Sequence, residues 1–140
     1  MDEYPFSMLI TTLLLAGNVW LASRVSVARR RASFEAGSEQ MYHSPEIYTK
    51  SDFMRVFRNH TNFHEHLAVF LPVFWIFAIC YSDVIAAIFG VLFLIGRIMY
   101  AKNYPENHKH GFQLSFLSFI TLLLGVAAKA SYLILQKYFV

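Results

Sequence analysis

A chain of 140 residues that is 56% hydrophobic and only 15% charged falls well short of the roughly 25% charge of an average soluble domain. The length suits a single domain, expected to run over 1–140 as one membrane domain, and the apolar balance excludes a small water-soluble fold. The formal charge of +3 does not point to nucleic acid, because the basic residues adjoin apolar runs and form no separate basic domain.

The sequence opens Met1-Asp2-Glu3, without the positive n-region and small-residue cleavage site of a secretory signal. The first apolar run, Phe6 to Ala22, is therefore expected to persist as a membrane helix over about 6–29, ending in Arg24 and the run Arg29-Arg30-Arg31. The polar stretch from about Glu35 to Ser51 is a candidate mobile loop. A second helix is predicted over 53–81, with its apolar part at Leu67 to Tyr81, and Pro72 inside it should bend it. A third is predicted over 83–102, apolar from Val84 to Gly96, and a fourth over 112–136. The fold class is all-α integral membrane, a bundle of four transmembrane helices.

The lengths of the middle runs carry information. The fifteen residues Leu67–Tyr81 rise about 22 Å as a helix and the thirteen of Val84–Gly96 about 20 Å, against a hydrocarbon core of about 30 Å. Each spans only by recruiting polar flanks, which draws Asn62, Glu65, His66, Arg97 and Tyr100 to the edge of the hydrocarbon. Charge facing lipid there is costly, so these side chains should point inward or toward a subunit interface.

Ser82-Asp83 leaves almost no connection between the second and third helices, and either residue can cap the third. The basic residues Arg24, Arg29–Arg31, Lys50, Arg55, Arg58, Arg97, Lys102 and Lys109 gather on the side of the long polar segments. That distribution makes the long segments cytoplasmic and puts both termini outside. Lys129, near the other end of the fourth helix, is expected to snorkel. Cys80 is the sole cysteine, so no intrachain disulfide forms, and its apolar setting predicts a buried, inert thiol.

Chemistry is concentrated in Arg55 to His66. Arg58, Asn62 and Glu65 stand at i, i+4 and i+7, one stripe of a helix, and Arg55 extends it by a turn. Arg97, Tyr100 and Tyr104 stand at i, i+3 and i+7 on the third helix, giving two polar stripes at the same depth. Arginine forks match carboxylates and Glu65 suits an ammonium group, so a zwitterionic peptide fits the set. An internal ion-pair network, Arg58 neutralised by Glu65, is the structural alternative. His60 and His64 have zinc-chelating spacing, but no third ligand completes a motif, and no metal is expected.

The stretch R-V-F-R-N-H-T-N-F-H-E from Arg55 to Glu65 and G-V-L-F-L-I-G-R-I-M-Y-A-K-N-Y from Gly90 to Tyr104 resemble the membrane-associated proteins in eicosanoid and glutathione metabolism. Gly111-Phe112-Gln113-Leu114-Ser115 is similar to the start of the fourth helix in that family's microsomal glutathione transferases. The resemblance is good over Asp52 to Leu123 and looser in the first helix. It implies a homotrimer that binds glutathione between neighbours near the cytoplasmic face. Carried over, Arg55, Arg58, His60, Asn62, Glu65, Arg97, Tyr100 and Tyr104 match its glutathione-binding positions, and Arg29 or Arg30 its basic pair ending the first helix. Tyr100, Tyr104 and Arg30 are the expected thiolate stabilisers.

The chain departs from the family pattern at Ala68, where a proline is usual, at His66, where an aromatic is common, and at Asn103, where glycine is frequent. No arginine follows Arg97, although one branch of the family uses such an arginine to activate the thiol. His108, Lys109 or His110 could supply that charge. The function implied is transfer of glutathione to lipophilic electrophiles, with reduction of lipid hydroperoxides as a side activity, in a bacterial inner membrane or the endoplasmic reticulum. Two rivals are a non-catalytic lipid-binding scaffold of the same fold, like five-lipoxygenase-activating protein, and a structural membrane subunit.

Overall fold

The computed structural model describes residues 3–37 and 39–139; Met1 and Asp2 of the acidic start lie outside them. Among the described residues, four helices are long and apolar enough to cross a bilayer: α1 (Pro5–Glu35), α2 (Ser51–Cys80), α3 (Asp83–Asn103) and α4 (Lys109–Phe139). The chain is an integral, multi-pass membrane protein. Two short 3-10 turns, Glu39–Tyr42 and Pro45–Thr49, lie between α1 and α2. Helix α2 starts at Ser51 and α3 runs on to Asn103, so both short apolar runs carry their polar flanks within the helix, as the length of a bilayer-spanning segment demands. Helix α2 also passes through Pro72 without interruption. Large apolar side chains such as Leu9, Val19, Ile88 and Leu124 are exposed on the helices, the reverse of a soluble fold and the arrangement that hydrocarbon favours.

Close contacts divide the chain into two compact units, one of Met1–Leu14 with Leu67–Val140, the other of Leu15–His66.

In the first unit the core is aromatic. Phe70, Phe74 and Phe93 are buried, and the Phe70 and Phe93 rings stack with centroids 3.8 Å apart. Trp75 donates its indole N–H to the Thr11 hydroxyl at 3.1 Å. The tight turn after α2 uses its two polar residues for two different helices. Ser82 caps α3, its hydroxyl accepting from the Ile85 N–H at 3.4 Å. Asp83 turns instead to the start of α1 and accepts from the N–H groups of Phe6 (3.0 Å) and Ser7 (2.8 Å), donors that the helix itself leaves orphaned.

Helices α3 and α4 meet backbone to backbone. A Cβ on Gly96 would come within 2.6 Å of the Ser115 nitrogen, and one on Gly111 would collide with the Tyr100 nitrogen and the Gly96 carbonyl. Gly111, Ser115 and Ser118 are buried along α4, a small-residue seam of the kind that lets membrane helices approach. At the far end the Lys129 ammonium lies 5.9 Å from the rings of both Tyr81 and Tyr132. Cys80, expected to be buried, is exposed, because the last turn of α2 packs through Phe77 and Ala78 and turns Cys80 outward.

In the second unit, Ala32, Ile47 and Phe53 are buried together. Within the segment expected to be a mobile loop, Ile47 is fully enclosed and Ser44 caps the turn that carries it. Helix α1 runs past its arginines to Glu35, and Gly37 takes a positive φ of 63° just beyond, the left-handed conformation that commonly ends a helix. The guanidinium of Arg29 faces the loop. It donates to the Tyr42 carbonyl (3.1 Å) and the Tyr48 hydroxyl (3.2 Å) and lies 5.0 Å from the Phe53 ring.

Candidate functional site

The first half of α2 carries the stripe singled out by its spacing. Arg55, Arg58 and Glu65 are exposed, and His60 and Asn62 are half-buried. Among the described residues Arg58 and Glu65 make no ion pair with each other; the salt bridge recorded there is Arg31 to Glu35, at 2.8 Å and exposed. Seven residues of helix separate Arg58 from Glu65 by about 10 Å along the axis, and the two side chains do not pair. Among the described residues, the Arg58–Glu65 pair considered as the structural alternative is not formed.

The histidines around the stripe are engaged locally. His66 holds its Nδ1 2.6 Å from the Asn62 carbonyl oxygen one turn back. His64 Nδ1 lies 3.4 Å from the Asn18 amide. The His60 and His64 rings are 6.2 Å apart, and among the described residues no group of three His, Cys, Asp or Glu side chains is gathered for a metal. The two candidates at the end of α1 are separated by their surroundings. Arg29 is committed to the loop, whereas Arg30 is exposed.

The second stripe, in the other compact unit, is an aromatic cluster over a buried cation. Arg97 is 1% exposed, with its guanidinium 4.6 Å from the Tyr100 ring. Tyr100 is itself buried. Tyr104 lies just past the helix, in extended conformation as the C-cap of α3, yet it still stacks on Tyr100 at 5.4 Å. The Tyr104–Pro105 peptide is cis. His108 closes the cluster, 5.1 Å from the Tyr100 ring and 5.5 Å from that of Tyr104. Its Nδ1 is 2.5 Å from the Pro105 carbonyl. A carbonyl only accepts, so Nδ1 is the donor of this contact, which leaves Nε2 for another partner. Of the three residues weighed as substitutes for the missing arginine, His108 is the one placed against both tyrosines. Sequence spacing alone does not separate it from Lys109 and His110.

The arrangement offers exposed cationic and anionic groups and a half-buried amide in line along one helix and, separately, a tyrosine–histidine cluster backed by a buried arginine. Comparison with known proteins gives these groups a setting. Over 126 residues the chain is 39% identical to an uncharacterised protein of Synechocystis sp., covering 88% of this chain and 86% of that one. It is 31% identical over 127 residues to microsomal glutathione S-transferase 2 of Homo sapiens, with 81% and 86% covered. To leukotriene C4 synthase of Bos taurus it is 28% identical over 130 residues, with 92% and 81% covered. The sequence profile of the MAPEG family matches residues 7–132, from the first turns of α1 into the last third of α4, and the chain belongs to that family.

Proposed function

We propose that the chain is a membrane-bound glutathione transferase, assembled as a homotrimer, that joins the glutathione thiolate to lipophilic electrophiles near the cytoplasmic face. The observation that carries this reading is the stripe Arg58–Asn62–Glu65, whose two charged members are exposed and do not neutralise each other, on a helix of membrane-spanning length. Charge at that depth needs a partner, and a zwitterionic tripeptide provides one. The stripe runs about 10 Å along the axis, close to the reach of about 10 Å of three extended residues.

In this reading Arg58 and Arg55 hold carboxylates through charge-assisted hydrogen bonds. Glu65 takes the γ-glutamyl ammonium, and Asn62 and His60 hydrogen-bond the peptide. The glutathione thiol has the ordinary cysteine pKa near 8.5, and only its thiolate attacks rapidly. Tyr100 and Tyr104 are assigned to the sulfur as hydrogen-bond donors, His108 Nε2 as acceptor of its proton, and Arg30 as a cation stabilising the thiolate. With an aryl halide, the sulfur–carbon bond forms as halide departs with its electron pair. With a lipid hydroperoxide, the thiolate attacks the terminal peroxide oxygen, the O–O bond breaks as the lipid alkoxide leaves and takes up a proton, and a second glutathione displaces water from the resulting sulfenic acid to give the disulfide.

The test is purified trimer with glutathione and a chromogenic aryl halide, recording conjugation and thiolate absorbance together. Conjugation with a thiolate signal is expected, and absence of both would remove the enzyme. Loss of a hydrogen bond to a charged group costs about 1.5–3 kcal/mol. Arg58→Ala and Glu65→Ala should therefore each weaken glutathione binding by about tenfold or more; unchanged affinity in both would refute the site.

A further inference from the structure

A second polar feature lies in the compact unit Leu15–His66, and three of its four cations, Arg24, Arg31 and Lys50, are not used by that chemistry. A groove of about 460 Å³ opens between the C-terminal half of α1 and the first turns of α2. Four basic side chains line it, Arg24, Arg31, Lys50 and Arg55, against two acidic ones, Glu35 and Asp52. Glu35 is paired with Arg31, and Asp52 stands in the first turn of α2, where the helix dipole favours an acid. The groove keeps an excess of positive charge, and Val27, Ala32 and Phe53 give it an apolar floor.

We propose that this groove seats the phosphate headgroup of an anionic phospholipid. Its place along α1 decides the class of ligand. Trp20, Arg24, Val27 and Arg31 stand at i, i+4, i+7 and i+11, one stripe of the helix, and Trp20, Arg24 and Val27 are exposed on it. The Arg24 guanidinium lies 5.1 Å from the Trp20 ring. A tryptophan followed by cations is the sequence of groups met on leaving hydrocarbon for headgroups. The apolar run Phe6–Ala22 rises about 25 Å, most of the roughly 30 Å of a hydrocarbon core. The basic end therefore lies in the headgroup layer, where the abundant phosphate belongs to lipid. Basic pockets between helices at that level bind such headgroups. Arg24, Arg31 and Lys50 would meet the phosphate, and the floor would take the glycerol and the first methylenes.

The test is retention of lipid by the full-length protein, purified from mixed vesicles of phosphatidylglycerol, phosphatidylethanolamine and phosphatidylcholine and examined by native mass spectrometry. Phosphatidylglycerol should be retained over phosphatidylcholine, and Arg24→Gln, Arg31→Gln and Lys50→Gln should each reduce that preference by about fivefold. The three side chains are exposed, so the variants should fold, and glutathione affinity should stay at the wild-type value. Equal retention of the lipids, preference for phosphatidylethanolamine, or a preference unchanged in an Arg31→Gln/Lys50→Gln double variant would overturn the assignment. So would displacement of the lipid by inorganic phosphate as effectively as by short-chain phosphatidylglycerol, which would make the groove a soluble-phosphate site.

Discussion

The carboxylate of Asp83 accepts the backbone N–H of Ser7 at 2.8 Å, across a separation of 76 residues. Ser7 is fully buried, so water cannot replace that bond. A cap of this kind, with an anion at a helix N-terminus, contributes about 1–2 kcal/mol. Asp83→Ala should lower the denaturation midpoint of the detergent-solubilised protein accordingly. Ser82→Ala, which removes a longer and local bond of 3.4 Å, should cost less.

The contact of Gly96 with Gly111 leaves no room for a side chain, because a Cβ at either position would meet backbone rather than a movable side-chain tip. Even alanine should be felt there, and overpacking of this kind costs about 1–3 kcal/mol. Gly111→Ala should reduce thermal stability and Gly111→Leu the yield of monodisperse protein. Gly17→Ala, whose Cβ would make an ordinary 3.8 Å contact with Phe63, is the control that should change neither.

Arg29 and Arg30 are adjacent in sequence and should behave differently. Removing Arg29 takes two hydrogen bonds from the loop, so Arg29→Ala should raise hydrogen exchange over residues 42–49. Arg30→Ala should leave that exchange unchanged and lower the thiolate signal of bound glutathione. Reversal of the two patterns would exchange their roles.

The lack of an ion pair between Arg58 and Glu65 is testable by a double-mutant cycle. Sites about 10 Å apart without shared partners add to within about 0.5 kcal/mol. In the absence of glutathione the stability effects of Arg58→Ala and Glu65→Ala should therefore sum, whereas a structural ion pair would show as a coupling beyond that margin.

Much of this was legible before any coordinates. Four apolar runs gave four helices, and the shortfall of the middle two required polar flanks inside α2 and α3. The spacing of Arg58, Asn62 and Glu65 placed them on one face because helical periodicity is local. What stayed hidden depends on contacts between distant residues. Nothing near Asp83 in sequence says that it caps α1, and nothing in Arg29-Arg30-Arg31 says which arginine the loop will claim. Ile47, a β-branched apolar residue in a mostly polar stretch, was the available sign that this part of the loop would pack with Ala32 and Phe53. Cys80 was misplaced because an apolar neighbourhood in sequence means burial only in a soluble fold. In a membrane helix the apolar face is the outer one.

The bond between Asp83 and the first turn of α1 also sets an order on biosynthesis. The N-terminal helix leaves the ribosome first, but the group that completes its end is made only after the whole of α2. Until the turn at Ser82-Asp83 emerges, the amides of Phe6 and Ser7 must find other partners at the membrane surface. Release of the finished α2–α3 hairpin is then the event that fixes the start of α1 in place.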